Sequence, residues 1–357
     1  MTKIKINRNR GLDLQKEIRD QQPTDYIFGV GEPLSGLAES IPFKKYLPIG
    51  EIQQGKGDTM DCATRAPINI LETKFTYLYQ NRLFNFEKDT GFMENAKWLE
   101  DKGYIVDGRV VFSDAFVAIG SKTTKQGNSL IAPIDFIHRG GLIPKPMCPL
   151  ESWMRWEDYH NPKRITKEML DLGLEFLTRF TISYERVINK DFNLIINKDI
   201  IDVAGHAWPV PDSKGEYPRT GYPFNHAFVY FEKPPYEIFD NYPDVFDRDF
   251  IKNLASNYSL MSYGYRLIVN EIDVKKKMSR ATLEKLYQLG FHRGLDDGAL
   301  NHLNFKEEQV LDAMISSEES EKIGRVLEWM KGNSFWKVFL PSELKGIADY
   351  LKNLERE

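Results

Sequence analysis

The ten residues from Gln53 to Cys62 read QQGKGDTMDC and end on a cysteine that directly precedes a segment with helical periodicity. Apolar side chains recur along 63–80 at the spacing of one helix face, so this stretch predicts a helix with Cys62 at its N-terminal end. Pro67 falls in the first turns, so either the regular helix begins near Pro67 or its start is distorted. Unpaired N–H groups at a helix N-terminus lower the pKa of a thiol, which makes Cys62 a candidate nucleophile.

A change from helical to strand periodicity marks the region beyond residue 225. The runs HAFVYF at 226–231, YEIFDN at 236–241 and YGYRLIV at 263–269 are separated by Pro, Asn and Asp, which predicts an antiparallel sheet. His226 opens the first run and Asn241 closes the second. An imidazolium beside a thiol lowers its pKa and can protonate a leaving amine, while an asparagine can hold the other ring nitrogen. His206 is a rival base, but no asparagine follows it at the right distance.

A glutamine ahead of the cysteine could complete this chemistry. Its side-chain N–H, together with the Cys62 backbone N–H, would stabilise the oxyanion of a tetrahedral intermediate. We assign this role to Gln54, with Gln53 as an open alternative.

The order Gln, Cys, His, Asn resembles that of the papain-like cysteine peptidases. His226 follows Cys62 by 226 − 62 = 164 residues, and Asn241 follows His226 by 241 − 226 = 15 residues. A second block, QGNS at 126–129 followed by GGLIP at 140–144, is similar to the glycine turn, short helix and exit that form one wall of the family's cleft. The resemblance spans about 41–272.

This resemblance implies an α+β, two-lobed fold that cleaves peptide bonds through an acyl-thioester intermediate, with no metal and no cofactor. A helical lobe is expected at about 60–150 and a β lobe, similar to an antiparallel barrel, at about 151–272. The substrate is expected to be a polypeptide. The implied catalytic residues are Cys62, His226, Asn241 and Gln54, and the implied substrate-binding residues are Gly127, Asn128 and Asn225.

Several positions depart from the family pattern. The aromatic residue after the nucleophile is replaced by Ala63, and Asn241 is followed by Tyr242 and a proline, so Tyr242 is one candidate for the aromatic lid. Asp61 would oppose thiolate formation if it pointed inward and would be harmless if exposed in the first helical turn. Two alternative functions therefore stay open: an inactive papain-like binding or structural protein of a virus or phage particle, and a thioester amidase or acyltransferase.

Composition narrows the setting of the protein. The 357 residues are 41% hydrophobic, which is enough for a sizeable core, and a net charge of −4 gives no basic field for nucleic acid. No apolar run is long enough for a membrane helix, and the N-terminus lacks a secretory signal. Only two cysteines occur, Cys62 and Cys148, which favours a reducing, cytoplasmic or virion-associated location. A Cys62–Cys148 disulfide stays open and would disable the nucleophile.

The two ends of the chain read differently from its centre. Residues 1–40 predict an irregular arm that packs on the body through Tyr26, Ile27, Phe28 and Val30, either behind one lobe or across the cleft as a built-in inhibitor. Residues 273–357 follow a lysine-rich shift in composition and predict a helical module, a candidate site for a protein partner.

Overall fold

The computed structural model describes residues 11–20, 41–50, 52–84, 94–196, 198–208, 210–218, 224–232, 236–242 and 250–271. The chain divides into two units, residues 1–272 and residues 273–357. The predicted C-terminal helical module lies outside the described residues, as do the four apolar arm residues at 26–28 and 30.

Helices and strands are largely segregated along the described chain. The helices are α1 Leu14–Asp20, α2 Cys62–Gln80, α3 Glu94–Asp101, α4 Asp114–Gly120, α5 Ile131–Gly140, α6 Trp156–Tyr159, α7 Lys167–Leu177 and α8 Phe192–Ile195. Short 3-10 helices occupy Phe43–Tyr46, Lys145–Met147, Pro162–Arg164 and Asn189–Asp191.

The strands form one small hairpin and one large sheet. The strands are β1 Ile105–Val106, β2 Arg109–Val110, β3 Phe180–Ile188, β4 Ile201–Gly205, β5 Glu216–Tyr217, β6 His226–Glu232, β7 Tyr236–Phe239, β8 Ile251–Leu254 and β9 Tyr263–Glu271. β1 pairs with β2, and the other seven strands lie in the order β3-β9-β4-β6-β7-β8-β5. All neighbours are antiparallel except β5 and β8. The α+β prediction is confirmed.

The helix predicted over 63–80 is α2, and it is almost completely buried. It begins at Cys62 and contains Pro67, so the proline neither delays the start of the helix nor ends it. Proline removes one backbone donor inside the helix, and packing on all sides outweighs this loss. Phe75 lies in the centre of an aromatic cluster, with ring centroids 5.0 Å from Phe180 and 5.3 Å from Phe112.

The packing of α2 against β6 positions the site. All residues of β6 except Glu232 are buried, because the strand lies between β4 and β7 in the sheet and is covered by the helix. The N-terminal residue of α2 therefore meets the N-terminal residues of β6, which brings Cys62 next to the His226–Ala227 pair.

Candidate active site

Cys62 is the first residue of α2 and its side chain is buried. The Ala227 N–H donates to Cys62 Sγ over 3.4 Å, so the sulfur lies beside the residue that follows His226. Burial nevertheless raises the pKa of the thiol well above its ordinary value, and the carboxylates of Asp58, Asp61 and Asp240 raise it further. The helix N-terminus does not offset these effects. Both cysteines are free, which excludes the Cys62–Cys148 disulfide.

A segment from the N-terminal region covers this sulfur. A Cβ atom built on Gly11 would lie 3.0 Å from Cys62 Sγ and 2.6 Å from the Met60 carbonyl oxygen, so the backbone of Gly11 lies directly over the thiol. Gly11 has a φ of +106°, which L residues rarely adopt. Leu12 beside it is 2% exposed. These contacts explain why the thiol is shielded from solvent.

The covering segment is held by main-chain pairing. Leu12 forms a parallel bridge with Asn128: the Asn128 N–H donates to Gly11 O and the Asp13 N–H donates to Asn128 O, both over 2.8 Å. Gly127 has a φ of +102°, and any Cβ there would clash with the Gly11 backbone. Gly127 and Asn128 thus contact the main chain of residues 11–13 next to Cys62.

His226 opens β6 and is fully buried. Its Nε2 lies 2.6 Å from Asp240 Oδ1, and its Nδ1, at the opposite side of the ring, has no hydrogen-bond partner among the described residues. The rings of Trp208 and Tyr242 pack against it, with centroids 5.6 Å and 5.1 Å away. Tyr242, which the sequence offered as a candidate lid over Asn241, thus packs against the histidine ring.

The contact with His226 that the sequence assigned to Asn241 is made by Asp240. Successive side chains in extended chain point to opposite sides, so a shift of one residue changes which side chain faces the histidine. Asn241 Oδ1 instead accepts from Asn69 Nδ2 of α2 over 2.7 Å, and Asn241 O accepts from the Gln53 N–H over 3.0 Å. Asn241 thereby ties the segment that carries Asp240 to the helix of Cys62.

Asp240 is ionised in a buried position. Burial alone would raise its pKa, but the Lys252 ammonium and His226 hold it well below its usual range. Asp240 Oδ2 accepts from Lys252 Nζ over 3.0 Å and from Trp208 Nε1 over 2.5 Å. Sequence reasoning missed both Asp240 and Lys252. The one available signal was that Asp240 directly precedes Asn241 at the end of a predicted strand.

The two candidate glutamines occupy different environments. Gln54 is exposed, whereas Gln53 is fully buried and donates from Nε2 to Asp58 Oδ1 over 3.3 Å. Both lie in the loop before Cys62, where the backbones of Gln54 and Asp58 form an isolated antiparallel β-bridge. Of the two, Gln53 has the burial expected of a side chain that faces the site.

Asp61, the acid beside the thiol, points inward, contrary to the exposed position that would have made it harmless. Its Oδ1 accepts from Thr59 Oγ1 over 2.6 Å and from Arg65 Nε over 3.0 Å, and its Oδ2 accepts from Tyr159 OH over 2.5 Å. Arg65 also pairs with Asp114. The Arg65 guanidinium therefore compensates the Asp61 charge within the interior.

The remaining predicted substrate residue, Asn225, precedes His226 and is buried. Its Oδ1 accepts from the Ala207 N–H over 2.9 Å, and its N–H donates to Gly205 O over 3.0 Å. The rival histidine, His206, lies in that same turn, where its backbone bonds the Tyr258 hydroxyl and its ring packs on Phe224. Asn225 thus holds the turn, whereas Gly127 and Asn128 contact the covering segment.

Glu17 of α1 anchors the covering segment to β9 of the sheet. It is fully buried; Oε1 accepts from Tyr263 OH over 2.8 Å and Tyr265 OH over 3.3 Å, and Oε2 accepts from the Leu130 N–H. Burial raises the pKa of Glu17. Burial and the Glu17 charge raise the pKa of Asp202 on β4, whose two oxygens have no hydrogen-bond partner within the described part of the chain.

Within the ranges that the structure describes, no group of three or more His, Cys, Asp or Glu side chains is arranged to hold a metal ion. No described helix combines the length and the apolar character needed to cross a bilayer.

No protein-family model matches the chain, and no curated protein matches it. Similar solved structures are papain-like cysteine proteases, the family that the sequence motifs resemble. Xylellain, a cysteine protease from Xylella fastidiosa, is 11% identical with a TM-score of 0.39 and covers 73% of this chain and 96% of its own. The cysteine protease and lectin-like domains of Cwp84 from Clostridium difficile are 14% identical with a TM-score of 0.42, covering 67% and 53%. Procathepsin L 3 of Tenebrio molitor is 10% identical with a TM-score of 0.36, covering 72% and 75%. Similarities at this level do not indicate a function, so the function must follow from the geometry around Cys62.

Proposed function

We propose that this protein is a cysteine peptidase with Cys62 as nucleophile, His226 as acid and base, and Asp240 as the residue that orients the imidazole. One observation favours a polypeptide substrate over a small amide. The chain's own residues 11–13 lie beside Cys62, and Gly11 and Asp13 form two main-chain hydrogen bonds with Asn128. A site that pairs with backbone N–H and C=O groups recognises polypeptide regardless of its side chains.

In the proposed reaction the Cys62 thiol gives its proton to His226 Nδ1, and the thiolate attacks the carbonyl carbon of the scissile bond. His226 then donates that proton to the leaving amine as the carbon–nitrogen bond breaks, which leaves an acyl thioester on Cys62. Water attacks the thioester with His226 as base, and the acid product and free thiol are released. Asp240 accepts from Nε2–H throughout and stabilises the imidazolium.

The oxyanion that forms on the carbonyl oxygen needs donors at the start of α2. The backbone N–H of Cys62 belongs to the first helical turn, where N–H groups have no partner within the helix. The buried amide of Gln53 is the side-chain donor that we assign to this role, and it must exchange Asp58 for the oxyanion. Each such donor is typically worth about 3–4 kcal/mol of transition-state stabilisation.

Such an enzyme would be closed in the described conformation. Gly11 covers the sulfur, and the raised pKa of Cys62 keeps the thiol protonated while the cover is in place. Displacement of residues 11–13 would hydrate the sulfur and free the backbone groups of Asn128 for a substrate. The proposed enzyme is thus latent until this segment leaves.

The test is hydrolysis of an unstructured protein, followed by mass spectrometry of the products. We expect cleavage by the wild type or by Gly11→Ala, whose new Cβ displaces the cover, and none by either chain once Cys62→Ala is added. Cys148→Ala, which removes the other buried free cysteine, is the matched control and should keep activity.

Cys62→Ala should change the free energy of unfolding by no more than about 1–2 kcal/mol, because a small residue replaces a small residue.

The buried thiol with its raised pKa favours a second candidate, an inactive binding or structural protein with the same fold. This candidate predicts no cleavage by any variant and slow alkylation of Cys62 even in Gly11→Ala. A thioester amidase or acyltransferase would instead leave proteins intact and release ammonia or an amine from small amides in a Cys62-dependent manner. Cys62-independent proteolysis would refute the peptidase assignment.

A further inference from the structure

Lys252 is a buried lysine on the side of Asp240 that faces away from His226. It lies in β8, opposite Ile238 of β7, and its side chain is 1% exposed. Its Nζ lies 3.0 Å from Asp240 Oδ2 and also donates to the Tyr242 carbonyl. The ammonium lies 5.4 Å from the centroid of the Trp208 ring.

An ammonium group leaves water only when other partners compensate for its lost hydration. Among the described residues Lys252 has three such partners: the Asp240 carboxylate, a backbone carbonyl and the face of an indole ring. None of these partners is the thiol or His226. The lysine therefore acts on the reacting groups only through Asp240 and the Asp240–Tyr242 segment.

The two oxygens of Asp240 are divided between different partners. Oδ2 accepts from Lys252 and Trp208, so Oδ1 is left for His226 Nε2. Burial favours the neutral carboxyl, and Lys252 is the strongest influence in the opposite direction. The other titratable groups that interact with Asp240 are His226 on β6, the Cys62 thiol on α2 and the Tyr258 hydroxyl.

We propose that Lys252 is a positioning residue of the reaction: its ammonium keeps Asp240 ionised with Oδ1 on His226, and so fixes the Nε2–H form of the histidine. This inference rests on the proposed peptidase function. With Nε2 protonated, Nδ1 is the nitrogen that can exchange a proton with Cys62. Without the ammonium, Asp240 would take up a proton at mild acidity and release its hold on the ring.

Lys252→Met removes the charge and keeps the apolar stem, whereas Lys252→Arg keeps the charge. Lys74→Met is the matched control. Lys74 of α2 is also a largely buried lysine, with its side chain 13% exposed, and its partners are Asp199 and the Leu267 carbonyl rather than Asp240 or His226. If Lys252→Met does not fold, Lys252→Gln serves, since its amide can still donate to the Tyr242 carbonyl.

The first readout is the ring N–H proton of His226 in ¹H NMR, assigned by its loss in His226→Ala. A buried N–H that donates to a carboxylate gives a downfield signal protected from exchange. We expect this signal to disappear on acidification about 1–3 pH units earlier in Lys252→Met than in the wild type, Lys252→Arg or Lys74→Met. The measurement needs no catalytic turnover.

The second readout is the pH dependence of kcat for peptide hydrolysis, measured in the Gly11→Ala chain. Lys252→Met should shift the acid limb upward, with kcat reduced at least tenfold at the acid end and KM little changed, and Lys252→Arg should restore it. Identical pH profiles and N–H signals in Lys252→Met and Lys74→Met would overturn the inference. Hydrolysis that persists after Cys62→Ala would instead overturn the peptidase assignment and leave the NMR result to decide the role of Lys252.

Discussion

The two ring nitrogens of His226 differ in how many contacts surround them. On one side, called the acid side below, Nε2 contacts Asp240, which in turn accepts hydrogen bonds from Lys252 and Trp208. On the other side, called the thiol side below, Nδ1 has no hydrogen-bond partner among the described residues, and the Cys62 sulfur accepts a long bond from the backbone N–H of Ala227, the residue after His226.

This difference separates contacts within the sheet from the contact with Gly11, which can be removed when its segment is displaced. The acid side consists of strand residues and their immediate neighbours, so we expect it to keep its geometry when substrate binds. The thiol side is closed by Gly11, whose segment is attached through α1 and a few hydrogen bonds. Control of the proposed activity therefore lies on the thiol side, and the catalytic geometry is set on the acid side.

The largest effect is expected from Asp240→Asn, which removes the anion that orients and stabilises the imidazolium. Loss of kcat by about 10²–10⁴-fold should follow, because the wrong tautomer of His226 becomes accessible. Asn241→Ala should cost no more than about tenfold, since it loses the bond to Asn69 while Asp240 remains. The measurement is kcat per folded molecule, with folding checked by thermal denaturation. Equal losses in the two variants would show that the orienting role is not confined to Asp240.

Gln53→Ala and Gln54→Ala test the thiol side in the same assay. Removal of an oxyanion donor typically lowers kcat by about 10²–10³-fold, and we expect this loss only for the buried Gln53. Gln54 is exposed, so its substitution should change kcat less than about twofold. A larger loss for Gln54→Ala than for Gln53→Ala would return the assignment to the one made from the sequence.

The sequence predicted those parts of the site that depend on local patterns. The helix after Cys62 and the strands at His226 and near Asn241 follow from apolar periodicity over a few residues. The choice between Asp240 and Asn241 depends on a one-residue register that periodicity does not resolve. Lys252 and the cover by Gly11 involve strand pairing and contacts between distant segments. The raised pKa of Cys62 follows from that cover and could not be predicted from a helix N-terminus alone.

Gly11→Ala should expose the Cys62 sulfur without changing the contacts of Asp240 with His226 and Lys252. A Cβ at φ +106° and 2.6 Å from the Met60 carbonyl is strained and overlaps its neighbour, which should shift the closed form by about 1–2 kcal/mol, or roughly tenfold. We expect the rate of Cys62 alkylation by iodoacetamide to rise by about that factor in a Cys148→Ala background. Gly57→Ala is the matched control, because a Cβ there meets nothing within 4 Å. Equal rates in the two variants would mean that Gly11 does not limit access to the sulfur.

The smallest effect concerns pH and the anchor of the cover. Burial is the main cause of the raised pKa of Glu17 in the folded protein, and the Asp20 carboxylate raises it further. Glu17 in turn raises the pKa of Asp202. An acid whose pKa is raised by folding stabilises the docked form below its unfolded pKa, and this contribution is lost as the pH rises through the folded pKa. The docked segment should therefore be held most firmly in acid and more loosely toward neutral pH.

Glu17→Gln cannot ionise, so its melting temperature should fall less than that of the wild type between about pH 4 and pH 7, by a few degrees. Gln15→Glu, at an exposed position of the same helix, controls for a general change in charge. A constant difference in melting temperature between Glu17→Gln and the wild type across this range would show that Glu17 does not titrate with docking.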